Sequence, residues 1–324
     1  MEHDSRAFHE PVLLDETLQL LDPMPQETIL DATAGGAGHS ERIAQAIRPG
    51  GTLICMDRDS EAVDEAERRL APLGDGCRII IVRSAFSELH AALDAAPKTR
   101  DVRLDGVLFD LGVSSNQLDS PRGFCFQRTE QLDLRMDASH GATAAQFLAS
   151  ASEAELVLAI KEYGEERWAR RIARRLVESR ERGKPILTTA DLAETVKASI
   201  PRAAWPPDTH PATRTFQALR ILVNDELGQL SAGLEAAVER LNPGGRIAVI
   251  SYHSLEDRLV KQAFNTWAGR VPSPNAYSPA VFAESTDPQP ILRLLTRKPI
   301  VPNTTEIARN PRARSAKLRA AIRI

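Results

Sequence analysis

The sequence predicts an α/β fold: a mostly parallel sheet with an antiparallel edge strand and an inserted helical subdomain. From Thr28 onward, short apolar runs alternate with amphipathic helical stretches, which is typical of parallel strands joined by crossover helices. About 135 residues then separate the fourth and fifth predicted strands, although a parallel crossover needs only about a dozen or more. We therefore predict that a helical segment is inserted between them.

The elements of the sheet are predicted from apolar runs bounded by turn residues. The first five strands are Thr28–Asp31, Thr52–Asp57, Arg78–Arg83, Gly106–Asp110 and Arg246–Ser251. The helices between the first four are Ser40–Ile47, Ser60–Leu70 and Ser87–Ala95. Two more strands are predicted at Ile291–Arg297 and Ala316–Ile324. In the second of these, Leu318, Ala320, Ile322 and Ile324 would face one side, and Arg319, Ala321 and Arg323 the other. This alternation favours an antiparallel edge strand with one buried face.

The inserted segment has helical periodicity. Within Ala154–Arg182, the apolar residues Trp168, Ile172 and Leu176 recur at four-residue spacing, as they would on one face of a helix. This pattern predicts a helical subdomain with arginines on its other faces.

The domain boundaries follow from these elements. We interpret residues 136–211 as the inserted helical subdomain, and residues 1–135 with 212–324 as the sheet domain. The return to the sheet is predicted as one long helix over Thr213–Leu241, ended by the turn Asn242-Pro243-Gly244-Gly245.

Basic residues are concentrated in two segments, although the 324-residue chain has a net charge of −3. Arg167–Lys184 contains eight basic residues and two acidic ones, and the segment from Arg293 to the last residue contains nine basic residues and one acidic. One such run is more commonly a solvated surface. Two runs in an acidic protein favour a nucleic-acid partner, because local patches determine binding to a polyanion.

Membrane proteins and metal-stabilised proteins are disfavoured. No apolar stretch approaches the roughly 18 residues needed to cross a bilayer, and the first residues lack a signal-peptide pattern. We therefore expect a cytoplasmic location. Cys55, Cys77 and Cys125 form no Cys-x-x-Cys pair, so neither a structural zinc site nor a disulfide framework is expected.

A loop of small residues follows the first strand and includes Gly35 and Gly38. Such a loop lets a ligand approach the backbone where a helix begins. Asp57 ends the next strand, 19 residues after Gly38, where a carboxylate can accept hydrogen bonds from a ribose diol. The pattern favours an adenosine-type cofactor over a dinucleotide, because the Gly-x-Gly-x-x-Gly order is absent; a tight turn without a ligand is the alternative.

Two further residues are candidates at the same edge of the sheet. Phe86 follows the third strand and could stack on adenine, or could be a core residue. Asp110 ends the fourth strand. Because ligands gather at the carboxyl ends of parallel strands, we expect Asp31, Asp57 and Asp110 to converge on one crevice. For any one of them, capping a helix is the commoner role.

At these and other positions the chain resembles the ribosomal RNA small-subunit methyltransferase H family (RsmH, formerly MraW). The matching segments occur in order over nearly the whole chain. They are His9–Leu14, Asp31–Ser40, Asp110–Ser115, Gln117–Asp119, Arg122–Phe124, Leu132–Asp137, Tyr163–Arg167, His210–Gln217, Ser251–Arg258 and Asn310–Ser315.

The resemblance implies a Rossmann-like class I methyltransferase fold and S-adenosyl-L-methionine as the cofactor. It implies N4-methylation of one cytidine of 16S ribosomal RNA near the decoding centre, within the small ribosomal subunit, with the inserted subdomain recognising the substrate. The cofactor contacts are expected at Gly35, Ala37, Gly38, His39, Asp57, Phe86, Asp110 and Gln117. Ala37 replaces the glycine usual in the family, and would be strained if its φ were positive.

Asp110 is our candidate catalytic residue, as an acceptor near the target amine, although it could contact only the cofactor. The candidate substrate-binding residues are Ser114, Phe124, Phe126, Tyr252 and His253. Packing is the alternative for the two phenylalanines, and a structural hydrogen bond for His253. A methyltransferase acting on DNA or protein, or a non-catalytic RNA-binding assembly factor, remains an alternative function.

Overall fold

The computed structural model describes residues 11–95, 98–114, 117–118, 120–125, 128–270 and 289–324. Two compact units are present. The first contains the described residues up to Gly112 together with Gln229–Ile324, and the second is Val113–Gly228. Within the described ranges, every helix is too short or too polar to cross a membrane.

The first unit is built on a sheet with the strand order β3-β2-β1-β4-β5-β7-β6. These strands are β1 Thr28–Asp31, β2 Gly51–Asp57, β3 Cys77–Arg83, β4 Leu104–Asp110, β5 Leu241–Ser251, β6 Leu292–Leu294 and β7 Lys317–Arg323. The five predicted parallel strands are confirmed. The last strand is antiparallel, as predicted. It is not the outermost one, because the short β6 pairs with its far side.

The described helices lie in both units. They are α1 Leu14–Leu21, α2 Gly38–Ala46, α3 Ser60–Leu70, α4 Leu89–Ala95, α5 Ala144–Ser150, α6 Glu153–Glu162, α7 Ala169–Glu181, α8 Thr189–Ser199, α9 Thr213–Asn224, α10 Glu226–Arg240, α11 Ser254–Trp267 and α12 Thr304–Arg309. The predicted helix over Thr213–Leu241 is divided into α9 and α10 because Asp225 has a left-handed backbone, with φ 47°.

The strand order reverses its direction at β1. The chain runs outward from β1 to β2 and β3, then returns to β4 on the other side of β1. Asp31 pairs with Cys55 on β2 and with Leu108 on β4. Asp57 and Asp110 therefore each lie two residues beyond the level at which β1 ends. In open α/β sheets this reversal point is where ligands bind.

The second unit is helical and has its own apolar core. Leu132 and Leu134 lie in the same buried cluster as Ile160, Ile172 and Leu219. The unit is therefore longer at both ends than the predicted residues 136–211, because segments on either side of that range contribute to its core.

The predicted helical pattern over Ala154–Arg182 forms two helices, α6 and α7. Between them, Glu165 has a left-handed backbone with φ 48°. Helix α6 begins with a capping box in which Ser152 and Glu155 each accept a hydrogen bond from the other's backbone N–H. The break changes the direction of the chain and lets both helices bury their apolar faces in one core.

Candidate functional site

The loop after β1 is fixed by the side chain of Asp31. Ser40 Oγ donates a hydrogen bond to Asp31 Oδ2 at 2.6 Å, and the backbone N–H of Thr33 donates to Oδ1 at 3.1 Å. The carboxyl group is buried, and burial raises its pKa. Asp31 lies near Asp57 and Asp110, as the electrostatic effect of Asp110 on Asp31 and of Asp31 on Asp57 indicates, but its own carboxyl group is buried and accepts a hydrogen bond from the first turn of α2.

Backbone geometry explains the small residues of this loop. Gly35 and Ala37 both have positive φ, 49° and 55°. Ala37 therefore adopts the left-handed backbone conformation, which is strained for a residue with a Cβ. Gly38 has a different reason to lack a side chain, because a Cβ there would lie 2.4 Å from Cγ of Pro11. At Gly36, apart from the glycine itself and its two chain neighbours, no atom of the described residues lies within 4 Å of the position that a Cβ would take. The loop is thus tightly packed on one side and open at Gly36.

Asp57 holds the same loop from β2. Its Oδ2 accepts a hydrogen bond from the Gly35 N–H at 2.9 Å, and its Oδ1 accepts one from the Asp59 N–H at 2.9 Å. Burial raises the pKa of Asp57 to about 6, although these two hydrogen bonds oppose the shift. A further hydrogen-bond donor at this carboxylate would therefore be favourable.

Phe86 lies after β3, in a short 3₁₀ turn. Its half-buried ring meets the ring of Phe109 edge to face, with centroids 5.5 Å apart. A Cβ at Gly233 of α10 would lie 2.6 Å from Phe86 Cδ2. The ring is therefore held in place by β4 and α10, and is partly packed, partly exposed.

Asp110 is held by groups from three other elements. The Tyr252 hydroxyl donates a hydrogen bond to Asp110 Oδ1 at 2.8 Å, and His39 Nδ1 lies 3.4 Å from Oδ2. The backbone N–H of Asp110 donates to Thr33 Oγ1 at 2.6 Å. The carboxyl side chain remains 24% exposed, so it is fixed but still accessible.

His39 is buried, with only 5% of its side chain exposed. Its Nε2 lies 3.1 Å from the carbonyl oxygen of Val12, and its Nδ1 faces Asp110. Both ring nitrogens thus face acceptors, so both must carry a proton to satisfy them. Burial acts to lower the pKa of His39, but the hydrogen bond and charge of Asp110 outweigh it and raise the pKa.

Tyr252 and His253 follow β5. The Tyr252 ring packs on Gly112, where a Cβ would lie 3.1 Å from Tyr252 Cδ2. Burial and the charge of Asp110 raise the pKa of Tyr252 well above its ordinary value. His253 caps α11, because its Nδ1 accepts from the Glu256 N–H at 3.3 Å. His253 therefore has the structural hydrogen bond given above as the alternative to substrate contact.

Glu256 was missed by the sequence reasoning. This buried residue accepts hydrogen bonds from the backbone N–H groups of Tyr252, at 2.8 Å, and His253, at 3.2 Å. The signal was present: a glutamate three residues after a capping residue, at the start of an apolar helix, is typical of a capping box.

The other predicted site residues belong to the second unit. Ser114 and Gln117 form a closed pair, in which each side chain accepts a hydrogen bond from the other's backbone N–H, at 3.0 and 3.2 Å. Phe124 packs against the apolar core of that unit, and the guanidinium of Arg122 lies 5.8 Å from its ring centroid. Phe126 lies outside the described residues.

The basic segments differ in how much of their charge faces solvent. Five arginines of the first segment lie exposed before and along α7: Arg167, Arg170, Arg171, Arg174 and Arg175. In the second segment, by contrast, Lys317 and Arg319 both pair with Asp257, at 3.3 and 2.7 Å, and Arg323 donates to the carbonyl of Val238. These three cations stabilise the sheet unit.

The sequence of the chain matches that of a known protein family. A family model described as the MraW methylase family matches residues 6–324. The chain belongs to the MraW methylase family. The resemblance seen in the sequence is thereby confirmed. The chain is a methyltransferase of this family, and its cofactor is S-adenosyl-L-methionine.

Relatives match the chain over almost its full length. A ribosomal RNA small subunit methyltransferase H from Symbiobacterium thermophilum is 47% identical over 320 residues, which are 98% of each chain. A protein of the same name from Geobacter sulfurreducens is 48% identical over 97% of this chain and 98% of its own. Among solved structures, an rRNA methylase from Streptococcus thermophilus is similar with a TM-score of 0.42 and 10% identity, covering 98% of this chain and 99% of that chain.

Proposed function

We propose that this protein transfers a methyl group from S-adenosyl-L-methionine to the exocyclic N4 of one cytidine in 16S ribosomal RNA, near the decoding centre of the small ribosomal subunit. The names of the relatives support the ribosomal RNA substrate. The choice of a cytosine amine follows from the family resemblance. The observation that carries the proposal is the fixed, accessible Asp110 carboxylate at the point where the strand order reverses.

The residues around this point fit an adenosine-type cofactor. The loop is open at Gly36, and Asp57 has a buried carboxyl group that another hydrogen-bond donor would stabilise. The residues of the first unit proposed to hold the cofactor are Gly35, Ala37, Gly38, His39, Asp57, Phe86 and Asp110. Gln117, which belongs to the second unit, is proposed as a cofactor contact from the family resemblance alone. When bound, S-adenosyl-L-methionine supplies a methyl group already activated on a sulfonium.

The task left for the protein is to position the amine. A cytosine amine is a weak nucleophile because its lone pair is delocalised into the ring. Asp110 has acceptor sites beyond those used by Tyr252 and His39, since a carboxylate offers about four. We propose that Asp110 accepts a hydrogen bond from the amine, which favours a pyramidal nitrogen and stabilises the positive charge that develops on it. As the bond from N4 to the methyl group forms, the sulfur–methyl bond breaks and leaves S-adenosylhomocysteine, and N4 then loses one proton to Asp110 or to water.

The target base must leave its stack to be methylated. We propose that the second unit recognises the substrate, and that the sequence candidates Ser114, Phe124 and Phe126 are its contacts to the base. The other two candidates, Tyr252 and His253, have polar groups already engaged by Asp110 and Glu256. The exposed arginines of α7 support this role, because they offer several cations to phosphate groups along one helix.

Nucleoside mass spectrometry of 16S ribosomal RNA tests the proposal directly. RNA is compared from cells with the protein, cells without it, and cells that carry Asp110→Asn. N4-methylcytidine should be present in the first and absent or strongly reduced in the others. An unchanged N4-methylcytidine content after loss of the protein would refute the assigned activity. Normal N4-methylcytidine with Asp110→Asn would refute the role of Asp110.

A further inference from the structure

Asp110 is anchored on both sides by residues distant from it in sequence. Tyr252 reaches it from the end of β5, 142 positions along the chain. The register of the sheet explains the contact, since Asp110 pairs with Ile250 and Tyr252 stands two residues beyond that partner. His39 approaches the other oxygen from the first turn of α2. The two donors contact different oxygens, so together they fix the plane of the carboxylate.

We propose that Tyr252 and His39 are positioning residues for methyl transfer, which hold the Asp110 carboxyl group in a single orientation at the carboxyl end of β4. The inference rests on the proposed function only in that Asp110 is taken to face the amine. It assigns to Tyr252 a role different from direct contact with the base, because its hydroxyl hydrogen is already donated to Asp110.

The surroundings support this assignment. The ring nitrogens of His39 face two acceptors, the Val12 carbonyl and Asp110, so the doubly protonated ring is the form that satisfies both. Burial raises the pKa of Tyr252 most, and the charges of Asp110, of Glu256 in α11 and of Glu306 in α12 raise it further, so its hydroxyl remains a hydrogen-bond donor. Asp31, at the end of β1, also faces Asp110.

Removing one anchor should affect turnover more than cofactor binding. Tyr252→Phe keeps the ring that packs on Gly112 and deletes only the hydroxyl. We expect kcat to fall roughly tenfold, as for loss of one hydrogen bond to a charged group, while the KM for S-adenosyl-L-methionine changes less than about twofold. The assay measures transfer of labelled methyl groups to small ribosomal subunits from cells lacking the protein.

A double-mutant cycle separates positioning from a general structural role. In Asp110→Asn, the group that Tyr252 positions has already lost its charge, so adding Tyr252→Phe should have little further effect on kcat. Wild-type kcat in Tyr252→Phe would overturn the role of Tyr252. An equal tenfold loss in both backgrounds would also overturn it, because the hydroxyl would then act independently of Asp110.

Nitrogen-15 NMR of labelled histidines tests the second anchor without any activity measurement, and decides the matter for His39 if Tyr252→Phe does not fold. His39 should show two protonated ring nitrogens near neutral pH, and should titrate at lower pH in Asp110→Asn. A neutral His39 in the wild-type protein would overturn its role. If the wild-type protein transfers no label to the subunits, the proposed function fails, while the NMR result still decides the His39–Asp110 pair.

Discussion

Ala37 shows how a single residue can be tolerated at a position whose geometry favours glycine. Its φ of 55° costs about 1–2 kcal/mol for a residue with a Cβ. The methyl group is fully buried, however, which returns about 0.8 kcal/mol. Alanine also restricts the unfolded chain relative to glycine, by about 0.4–1 kcal/mol. These opposing contributions are of similar size, which explains why the substitution can persist in the loop.

Two substitutions at this position should therefore behave very differently. Ala37→Gly should change the free energy of unfolding by less than about 1 kcal/mol, because the relief of strain is offset by the lost methyl group and the freer unfolded chain. Ala37→Val should destabilise the protein by more than about 2 kcal/mol, because a β-branched residue is added at positive φ in a buried site. Urea denaturation measures both, and equal effects would contradict the account.

Asp57 should make cofactor binding depend on pH. Its ionised form accepts hydrogen bonds from hydroxyl donors, and its pKa in the free protein is raised to about 6. Affinity for S-adenosyl-L-methionine should be constant above that pH and should fall as the pH is lowered through it, by up to about tenfold per unit. Conversely, ionisation of this buried group destabilises the free protein as the pH rises from the ordinary value of 3.8 to about 6.

Calorimetric titrations between pH 7.5 and 5 test this prediction. Asp57→Asn is the matched control: it should bind the cofactor more weakly at neutral pH and lack this part of the pH dependence. A wild-type affinity that does not change over this range would remove Asp57 from the cofactor site.

Helix α7 has a buried apolar face and an exposed face rich in arginine. Ala169, Ile172, Ala173 and Leu176 are buried in the core of the helical unit, and the intervening arginines face solvent. Arginines in the first turn are unfavourable for the helix dipole, and the first turn contains no acidic residue. The apolar face therefore stabilises the helix, and the charge is best explained by an anionic partner.

Replacing Arg170 and Arg171 by glutamine should weaken binding to the small ribosomal subunit and leave S-adenosyl-L-methionine affinity unchanged. If both contact phosphates, the slope of log affinity against log salt concentration should become shallower by between about one and two. Filter binding over a series of salt concentrations measures the slope. Arg68→Gln, an exposed arginine on α3 of the sheet unit, is the control and should not alter it. An unchanged slope in the double variant would exclude α7 from the phosphate contacts.

At the scale of the whole molecule, the sequence predicts strand ends well where an acid or a turn follows an apolar run. Predicted and observed carboxyl ends agree for β1, β2, β3, β4 and β5. The beginning of β5 was placed five residues late, because Leu241 already pairs with Leu104. The register then shifts, so the predicted turn Asn242-Pro243-Gly244-Gly245 interrupts the pairing with β4 until Arg246. Local signals thus locate the loop, the turn, Asp57 and Asp110, but they do not show that a strand begins before the interruption.

Contacts between distant segments could not be predicted in the same way. The Tyr252–Asp110 hydrogen bond depends on the pairing of β4 with β5 across the inserted unit. Similarly, the Leu13 N–H donates at 2.7 Å to Glu306, 293 positions away. Nothing in the residues near Asp110 specifies these partners, because they are fixed by strand register and helix packing and not by local periodicity.

We propose that the residues gathered where the strand order reverses methylate a cytosine amine. The most direct measurement incubates the purified protein with labelled S-adenosyl-L-methionine and small ribosomal subunits that lack the modification, then digests the RNA to nucleosides for mass spectrometry. We expect the label to appear in N4-methylcytidine and to be strongly reduced, but still measurable, with Asp110→Asn. Label in another nucleoside, in protein, or unchanged by Asp110→Asn would contradict the proposal.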